Sequence, residues 1–360
     1  MSFDAIIGQQ RAKAILAKAI EQDHIHHSYL FAGPEGTGKE SFAIDFAKAL
    51  FCTGQDNKPC YTCSACRRVR AFNHPDFVCI VPHPKSASVE EIRKIFDSLV
   101  QEPYRRKTFW AAPTIGIDEI RELRVKCSIK PTEQKRVIAL LQAEQMTLEA
   151  AKSLLKLLEE PPEATYFVLT TSQPNSLLPT ILSRCQQVKF HLLRDEEVEA
   201  ALRTTKGLDA DTARLVSRIC QGNYKRALEW VEHDLAQRRA LAIDMVRNCL
   251  RDNKTKLKFI EKLQEDYDKQ SIKDMLNLML IFFRDALVLS NRDNNDEHRV
   301  VNIDQLEPLE KFTKAFRQFD YDEIFKEIEW AIELIDRNVH LSLILVVLFN
   351  KIQKIIGCKG

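Results

Sequence analysis

Residues 31–40 have the sequence Phe31-Ala-Gly-Pro-Glu-Gly-Thr-Gly-Lys-Glu40, which follows the phosphate-binding P-loop pattern G-x-x-x-x-G-K-[S/T] as far as Lys39. In such a loop the glycines let successive backbone N–H groups converge on phosphate oxygens at the start of a helix. The candidate nucleotide-binding residues are Gly33, Pro34, Glu35, Gly36, Thr37, Gly38 and Lys39. Glu40 stands where a hydroxyl normally binds Mg²⁺. Ser41 cannot supply this hydroxyl, because it lies about 100° further round the helix. The sequence therefore predicts a phosphate loop with one essential part altered.

The segments on both sides of this loop fit a P-loop. Ser28–Ala32 is a short apolar run that predicts a strand leading into the loop. Residues 40–51 predict the helix that follows, because three bulky apolar side chains share one helical face: Phe42, Phe46 and Leu50. A strand, a glycine-rich loop and a helix in this order are the context in which a P-loop binds phosphate. We therefore interpret the motif as a true phosphate-loop fold.

A second predicted strand ends where a P-loop ATPase would have its acidic residues, and these residues are missing. Residues 134–141 form a near-continuous apolar run, typical of a buried parallel strand. In P-loop ATPases such a strand ends in an acidic pair that holds Mg²⁺ and orients the attacking water. Gln142 and Ala143 occupy these positions and cannot carry the charge that the two roles demand. Glu144 is the nearest carboxylate, and we expect it past the strand end on the wrong side of the pleat.

Strand patterns alternate with helical patterns up to about residue 190, and the strand patterns lie in 28–32, 73–81, 134–141, 166–171 and 187–190. This alternation predicts a doubly wound α/β domain with a parallel sheet flanked by helices. From Arg194 onward the pattern is helical. We predict three domains: an α/β nucleotide-binding-like domain at 1–190 with a cysteine module inserted at 52–66, a small helical lid at 191–237, and an all-helical domain at 238–360.

Two segments of the first domain have non-catalytic interpretations. His74 and Asp76 flank a proline, and we interpret them as residues that fix a turn in preference to metal ligands. Residues 82–113 are polar and contain four prolines, so we expect an irregular, mobile surface insertion.

Four cysteines in the inserted module have the spacing of a metal site. Two C-x-x-C steps share one cysteine, in the set Cys52, Cys60, Cys63 and Cys66. Four thiolates can surround a tetrahedral Zn²⁺, and the module is too short to have its own core, so we expect a structural zinc. Unligated surface cysteines are the alternative. A catalytic or redox site is disfavoured, because no open coordination position or paired histidine is evident.

Composition limits the function classes. The chain has 360 residues, of which 45% are hydrophobic and 29% charged, and a formal net charge of +2. This charge gives no whole-chain signature of nucleic-acid binding, so any DNA contact must come from local patches or from partners. The amino terminus lacks the pattern of a signal peptide, and the longest apolar stretch has about half of the ~20 residues that span a bilayer. Ten cysteines without an export signal indicate reduced thiols. We expect a cytoplasmic protein with no membrane contact.

The order of these parts resembles the bacterial DNA polymerase III clamp-loader subunits of the AAA+ class, the gamma/tau and delta-prime proteins. The motifs that carry the resemblance are Ile7-Gly-Gln-Gln10, the loop Gly33–Lys39, the four cysteines, His74-Pro-Asp76, Ser153-Leu-Leu-Lys-Leu-Leu-Glu-Glu-Pro-Pro162, and Leu178–Cys185 with its Ser-Arg-Cys end. They cover the first half of the chain strongly. The last third matches only as a helical domain of suitable length.

The resemblance implies roles for particular residues. In that family the Ser-Arg-Cys arginine reaches across a subunit boundary to the ATP of the neighbour, and Arg184 falls on this position. An arginine suits the task, because its fixed charge stabilises charge that develops on the γ-phosphoryl group. Lys225 falls where the motor subunits carry a nucleotide-sensing arginine. The implied cofactors are a structural Zn²⁺ and the ATP and Mg²⁺ bound by the adjacent motor subunit.

Within this family, the missing P-loop hydroxyl and the missing acidic pair favour a non-hydrolysing, delta-prime-like subunit of the DNA polymerase III holoenzyme. Its implied partners are the gamma/tau and delta subunits, the sliding clamp (beta), and primer–template DNA through the complex, with the helical third as the oligomerisation collar. An ATP-hydrolysing gamma/tau-type motor is the alternative within the family. An independent nucleotide kinase and a zinc-dependent DNA-binding module are alternatives outside it.

Overall fold

The computed structural model describes residues 3–54, 57–104, 110, 112–232, 235–290, 306–316, 319–337 and 339–357. The chain divides into two compact units. One consists of Met1–Lys206 with Cys220–Leu228, and the other of Gly207–Ile219 with Glu229–Gly360. The three-domain division that the sequence suggests stays a prediction.

The first unit contains a five-stranded parallel sheet. Its strands are β1 (Ser28–Ala32), β2 (Phe77–Ile80), β3 (Arg136–Leu140), β4 (Thr165–Thr171) and β5 (Gln186–Lys189). The order across the sheet is β2-β3-β4-β1-β5, and every neighbouring pair is parallel. The predicted parallel α/β architecture is confirmed. Since all the strands run the same way, their carboxyl ends share one edge, which is where sheets of this kind bind ligands.

Helices of the first unit surround this sheet: α1 (Gln10–Glu21), α2 (Lys39–Phe51), α3 (Ser64–Arg70), α4 (Val89–Gln101), α5 (Ile117–Cys127), α6 (Leu148–Glu159), α7 (Pro179–Leu182) and α8 (Asp195–Lys206). The side chains of β1 alternate between two hydrophobic clusters, as the period of a strand requires. Tyr29 and Phe31 pack with α1 and α2 on one face. Leu30 and Ala32 pack with α5 and α6 on the other. Both faces are covered, so the central strands are continuous apolar runs.

The expectation for residues 82–113 is wrong, because α4 runs through their middle. A capping box starts this helix, in which Ser88 and Glu91 exchange hydrogen bonds with each other's backbone N–H. Ile95 and Leu99 are buried in the hydrophobic cluster that contains Tyr29 and Phe31. The prolines in fact flank the helix. The Ser-x-x-Glu step followed by helically spaced apolar residues is the signal that could have found it. Residues 105–109 and 111 of this segment lie outside the described part.

The second unit is helical throughout its described residues, and no strand follows β5 in the described chain. Its helices are α9 (Ala210–Ile219), α11 (Leu235–Cys249), α12 (Asn253–Asp266), α13 (Lys269–Ser290), α14 (Leu306–Ala315), α15 (Tyr321–Asp336) and α16 (Leu341–Gly357), while α10 (Tyr224–Glu232) begins in the first unit. Twelve residues of α13 are buried, which is typical of a helix that is apolar on nearly every face. Among the described helices, none is both long enough and apolar enough to cross a membrane.

Candidate functional site

The glycine-rich loop joins β1 to α2 at the carboxyl edge of the sheet, as the sequence predicts. Gly36 and Gly38 have φ angles of 73° and 88°. These left-handed values favour glycine, since a Cβ makes them costly for other residues. Thr37 donates its hydroxyl hydrogen to the Pro34 carbonyl at 2.8 Å. Gly33 N–H donates to the Thr171 carbonyl at 3.2 Å, which ties the loop to the end of β4. The backbone therefore has the shape of a phosphate loop.

The lysine of the loop is turned back onto its own backbone. Lys39 Nζ donates to the Pro34 carbonyl at 2.6 Å, and only 6% of the residue is exposed. Burial lowers the pKa of Lys39, while the nearby carboxylates of Glu40, Glu144 and Glu35 act to raise it. The ammonium is thus already engaged inside the loop and surrounded by negative charge.

Residues 223–225 of the same unit close over the phosphate loop. Lys225 Nζ forms an ion pair with Glu35 Oε1 at 2.7 Å. Tyr224 N–H donates to the Gly36 carbonyl at 3.1 Å. A Cβ on Gly36 would lie 1.8 Å from Asn223 Oδ1, so this approach is possible only because the position is glycine. The family resemblance assigns Lys225 to the nucleotide site, but nothing in the sequence predicts its pairing with Glu35.

Tyr104 closes the other side of the loop. A Cβ on Gly38 would lie 2.7 Å from its ring, and its hydroxyl accepts a hydrogen bond from Ile7 N–H at 2.7 Å. The cavity that remains beside Lys39 and Glu40 has a volume of about 50 Å³. Ligand pockets usually have ~300–1,000 Å³. The loop is therefore filled largely by its own chain.

The end of β3 differs from the expectation in one respect. Gln142 has a left-handed φ of 55°, and its N–H donates to Thr170 Oγ1 at 2.9 Å. A 3-10 turn then brings Glu144 beside Ser172, whose N–H and hydroxyl donate to Glu144 Oε1 at 3.0 and 2.6 Å. We expected Glu144 to point away from the site, yet its charge acts on Lys39. The reversal of the chain at Gln142 is the reason, since strand alternation no longer sets the direction of the side chain.

The four predicted metal ligands are brought together. All the Sγ atoms of Cys52, Cys60, Cys63 and Cys66 lie within 4.8 Å of one another. Backbone N–H groups point at three of the sulfurs: Cys60 N–H at Cys52 Sγ (3.3 Å), Cys63 N–H at Cys60 Sγ (3.3 Å) and Cys66 N–H at Cys63 Sγ (3.4 Å). Hydrogen bonds from Thr62 and the Cys63 N–H lower the pKa of Cys60 to about 5. Such donors stabilise thiolates, the form that binds metal, whereas burial raises the pKa of the Cys52 and Cys66 thiols.

The cysteine module rests on α2, the helix that follows the phosphate loop. Tyr61 donates its hydroxyl hydrogen to Asp45 Oδ2 at 2.9 Å, and Lys48 pairs with Asp45 Oδ1 at 2.7 Å. Lys48 Nζ also lies 5.4 Å from the centre of the Tyr61 ring. Both charged residues are buried. Sequence reasoning missed this contact. The signal was a carboxylate and a lysine three residues apart on an otherwise apolar helix.

Arg184 lies at the opposite edge of the sheet from the phosphate loop, just before β5. Its Nη2 pairs with Glu159 Oε1 at 2.7 Å, and its Nη1 donates to the Thr180 carbonyl at 3.0 Å. One third of its side chain is exposed. Ser28, the first residue of β1, donates its hydroxyl hydrogen to the Arg184 carbonyl at 2.6 Å. The length of β1, roughly 16 Å at ~3.3 Å per residue, therefore separates Arg184 from the loop of its own chain.

The His74–Asp76 turn has the structural role that was predicted. Both residues are buried, and His74 Nδ1 accepts a hydrogen bond from Asp76 N–H at 3.3 Å. The Asp76 carboxylate accepts from Thr132 N–H at 3.0 Å and Glu133 N–H at 2.7 Å. The pair therefore fixes the turn before β2 and ties it to the segment before β3.

A parallel sheet whose first strand leads into a glycine-rich phosphate loop defines a P-loop α/β protein. The family model described as DNA polymerase III, delta subunit, matches residues 8–111 and 109–194 of this chain. The chain belongs to this family, which confirms the resemblance drawn from its motifs.

Curated relatives agree with this assignment. DNA polymerase III subunit delta' of Bacillus subtilis is 31% identical over 282 residues, which cover 78% of this chain and 77% of the relative. Subunit tau of the same organism is 28% identical over 65% of this chain and 38% of its own length. Subunit gamma/tau of Mycobacterium tuberculosis is 33% identical over 56% of this chain and 30% of its own length. A solved DNA polymerase III, gamma subunit-related protein of Thermotoga maritima is 16% identical, covers 94% of this chain and 99% of that one, and has a TM-score of 0.40.

Proposed function

We propose that this chain is a delta-prime-type, non-hydrolysing subunit of a bacterial clamp loader of the AAA+ class. It lends Arg184 to ATP bound by a neighbouring gamma/tau-type subunit and braces an assembly that also includes a delta subunit. The assembly opens a ring-shaped sliding clamp and places it on primed DNA in the cytoplasm. The observation that carries this proposal is the phosphate loop, which keeps its backbone shape while its own chain fills it.

Charge in the loop supports this proposal. Two positive side chains, Lys39 and Lys225, stand against three negative ones, Glu35, Glu40 and Glu144, so these groups sum to −1. A polyphosphate is strongly anionic and is bound where positive charge dominates. The missing hydroxyl at position 40 and the missing acidic pair remove two further contributions, metal binding and water orientation, that each stabilise the transition state by several kcal/mol.

The position of Arg184 supports a role in trans. It lies at the amino-terminal edge of the sheet, far from its own loop, and one third of its side chain is exposed. A group in this place can reach a nucleotide only if another subunit presents it. Arginine suits this task because its planar, always-charged fork binds phosphate oxygens in pairs.

The four cysteines support a structural zinc. A tetrahedral site with Zn–S bonds of ~2.3 Å has sulfurs about 3.8 Å apart, and the observed limit of 4.8 Å is close to this arrangement. Four thiolates leave no open position for catalysis. Elemental analysis is expected to find one zinc per chain, with loss of the metal in Cys63→Ser. Cys79→Ser, which changes a half-buried cysteine outside the cluster, should retain it. Full zinc content in Cys63→Ser would contradict the assignment.

One observation favours the alternative, an ATP-hydrolysing gamma/tau-type motor. Glu144 faces the loop, and its Oε2 is buried with no hydrogen-bond partner among the described residues. Such an oxygen could receive a cation or a water molecule. The assay that decides between the two is ATP hydrolysis by the isolated chain with clamp and primed DNA present. We expect no turnover. Turnover that Lys39→Ala abolishes would establish the motor.

The role of Arg184 needs the assembled complex. Replacement by alanine should leave assembly intact, because the contacts of the side chain within its own subunit, to the partly exposed Glu159 carboxylate and the Thr180 carbonyl, contribute little to stability. ATP hydrolysis at the neighbouring site should fall by about tenfold or more, as for other arginines that act in trans. Unchanged hydrolysis in a fully assembled Arg184→Ala complex would remove this part of the proposal.

A further inference from the structure

The guanidinium of Arg184 is already held by a carboxylate of its own chain. Nη2 contacts Glu159 Oε1 at 2.7 Å, while Nη1 contacts the Thr180 carbonyl at 3.0 Å. We propose that Glu159 is a positioning residue that occupies Nη2 of Arg184 until a phosphate group presented by the neighbouring subunit replaces its carboxylate. This inference rests on the proposed function, since it requires a nucleotide in trans.

The pair stands on the wall of an open basin. This basin has a volume of about 710 Å³ and is lined by His26, His27, Leu158, Glu159, Ser183 and Arg184, among others. The rings of His26 and His27 stack at 4.3 Å and form part of its lining. The volume falls within the ~300–1,000 Å³ of ligand pockets. A phosphate chain that enters from another subunit therefore has room beside the guanidinium.

Three contacts hold Arg184 within its own chain, and the one with Glu159 is the weakest. Its backbone carbonyl is fixed by Ser28 at the start of β1, and its Nη1 by the short α7. The Glu159 contact involves two side chains that are 33% and 45% exposed, so water screens the pair and weakens it. Loss of this contact frees Nη2 while the other anchors keep the arginine in place.

The location of Glu159 also makes it an easily displaced partner. It is the last residue of α6, where the negative end of the helix dipole disfavours a carboxylate. A γ-phosphate carries more charge than a carboxylate and can accept two parallel hydrogen bonds from a guanidinium. The guanidinium therefore binds the phosphate more tightly than it binds the carboxylate. The phosphate must still displace the Glu159 carboxylate, which lowers its apparent affinity.

The test uses the complete reconstituted complex with four versions of this subunit besides the unaltered one: Glu159→Gln, Arg184→Ala, both together, and Glu160→Gln as the matched control. Glu160 is an exposed carboxylate at the next position. ATP hydrolysis is measured against ATP concentration. Glu159→Gln should lower the apparent KM for ATP two- to fivefold with kcat unchanged, as removal of a weak competing ion pair predicts. Glu160→Gln should change neither value.

The outcomes separate the inference from the proposed function. No change in KM with Glu159→Gln, or an equal change with Glu160→Gln, overturns the inference while Arg184→Ala still slows hydrolysis. A Glu159→Gln effect that persists in the Arg184→Ala background also overturns it, since Glu159 is argued to act through Arg184. If Arg184→Ala itself leaves hydrolysis unchanged, the role of Arg184 in trans, on which this inference rests, fails. Circular dichroism of each variant subunit verifies that it is folded.

Discussion

Single side chains decide what the phosphate loop can do. Its glycine backbone is intact, yet Glu40 replaces the Mg²⁺-binding hydroxyl and Glu35 is paired with Lys225 at 2.7 Å. The lysine that should contact phosphate donates to Pro34 instead. We expect these charges to weaken phosphate binding despite the favourable backbone shape, because removing or adding one unit charge a few ångströms from a phosphate changes binding by on the order of 1–2 kcal/mol.

Glu40→Thr tests this balance. The change removes one negative charge from the loop and supplies the hydroxyl that Mg²⁺ needs, so the affinity for Mg-ATP should rise by about tenfold. Titration with a fluorescent ATP analogue measures it, and Lys39→Ala in the same background should cancel the gain. If the affinity is unaltered, the charge of Glu40 does not limit nucleotide binding, and closure of the phosphate loop by Tyr104 and Lys225 is the remaining explanation.

The buried ammonium of Lys39 should also affect stability. Burial lowers the pKa of Lys39 below its ordinary 10.5, so the folded state holds the proton less tightly than the unfolded state does. The buried ammonium therefore destabilises the folded state in full at neutral pH. This destabilisation decreases as pH rises from the lowered pKa towards 10.5. Lys39→Met removes the titrating group, so the free energy of unfolding of the variant minus that of the unaltered chain should fall as pH rises from 7 to above 10. Urea denaturation at both pH values measures this. A difference that stays constant or rises over this pH range would contradict the prediction.

At the scale of elements, α2 links the phosphate loop to the cysteine module. Asp45 and Lys48 are buried on this helix, and the Tyr61 hydroxyl supplies the remaining partner of the Asp45 carboxylate. A buried carboxylate that loses one of its donors pays part of its desolvation cost without compensation. The module therefore stabilises the helix that starts at the loop, beyond any contribution of a metal.

Tyr61→Phe removes this hydroxyl, which also interacts with the backbone of Ala5, and keeps the ring beside Lys48. The variant should unfold with a free energy lower by about 1 kcal/mol, the usual worth of such a hydrogen bond. Tyr166→Phe is the control, since that partly buried tyrosine forms no hydrogen bond through its hydroxyl to the described residues. Thermal or urea denaturation compares the two. Equal stability of both variants would show that the module does not depend on Asp45.

Elements differ in how well the sequence predicts them. The strands β1, β3 and β4 are evident from the sequence because strands covered on both faces need unbroken apolar runs, and the cysteines because metal ligands need fixed spacing. The α4 helix contradicts the expectation for residues 82–113, because the prolines that favour irregular structure lie outside it and its capping box starts a helix between them. The closure of the loop could not be predicted, since Lys225 and Glu35 are separated by 190 residues and no local pattern signals a contact of that span.

For the whole molecule, charge limits the direct role in DNA binding. The chain has 53 basic and 51 acidic residues, so the long-range attraction to a phosphate backbone is small. The isolated chain should bind primed DNA with a Kd no tighter than ~1–100 μM at physiological salt, the range of non-specific contacts. The reconstituted complex with clamp and ATP should bind far more tightly, because the partners supply the contacts. Fluorescence anisotropy over a range of salt concentrations measures both. Submicromolar binding by the chain alone would instead favour a DNA-binding module, and Cys63→Ser would then show whether the cysteine cluster carries it.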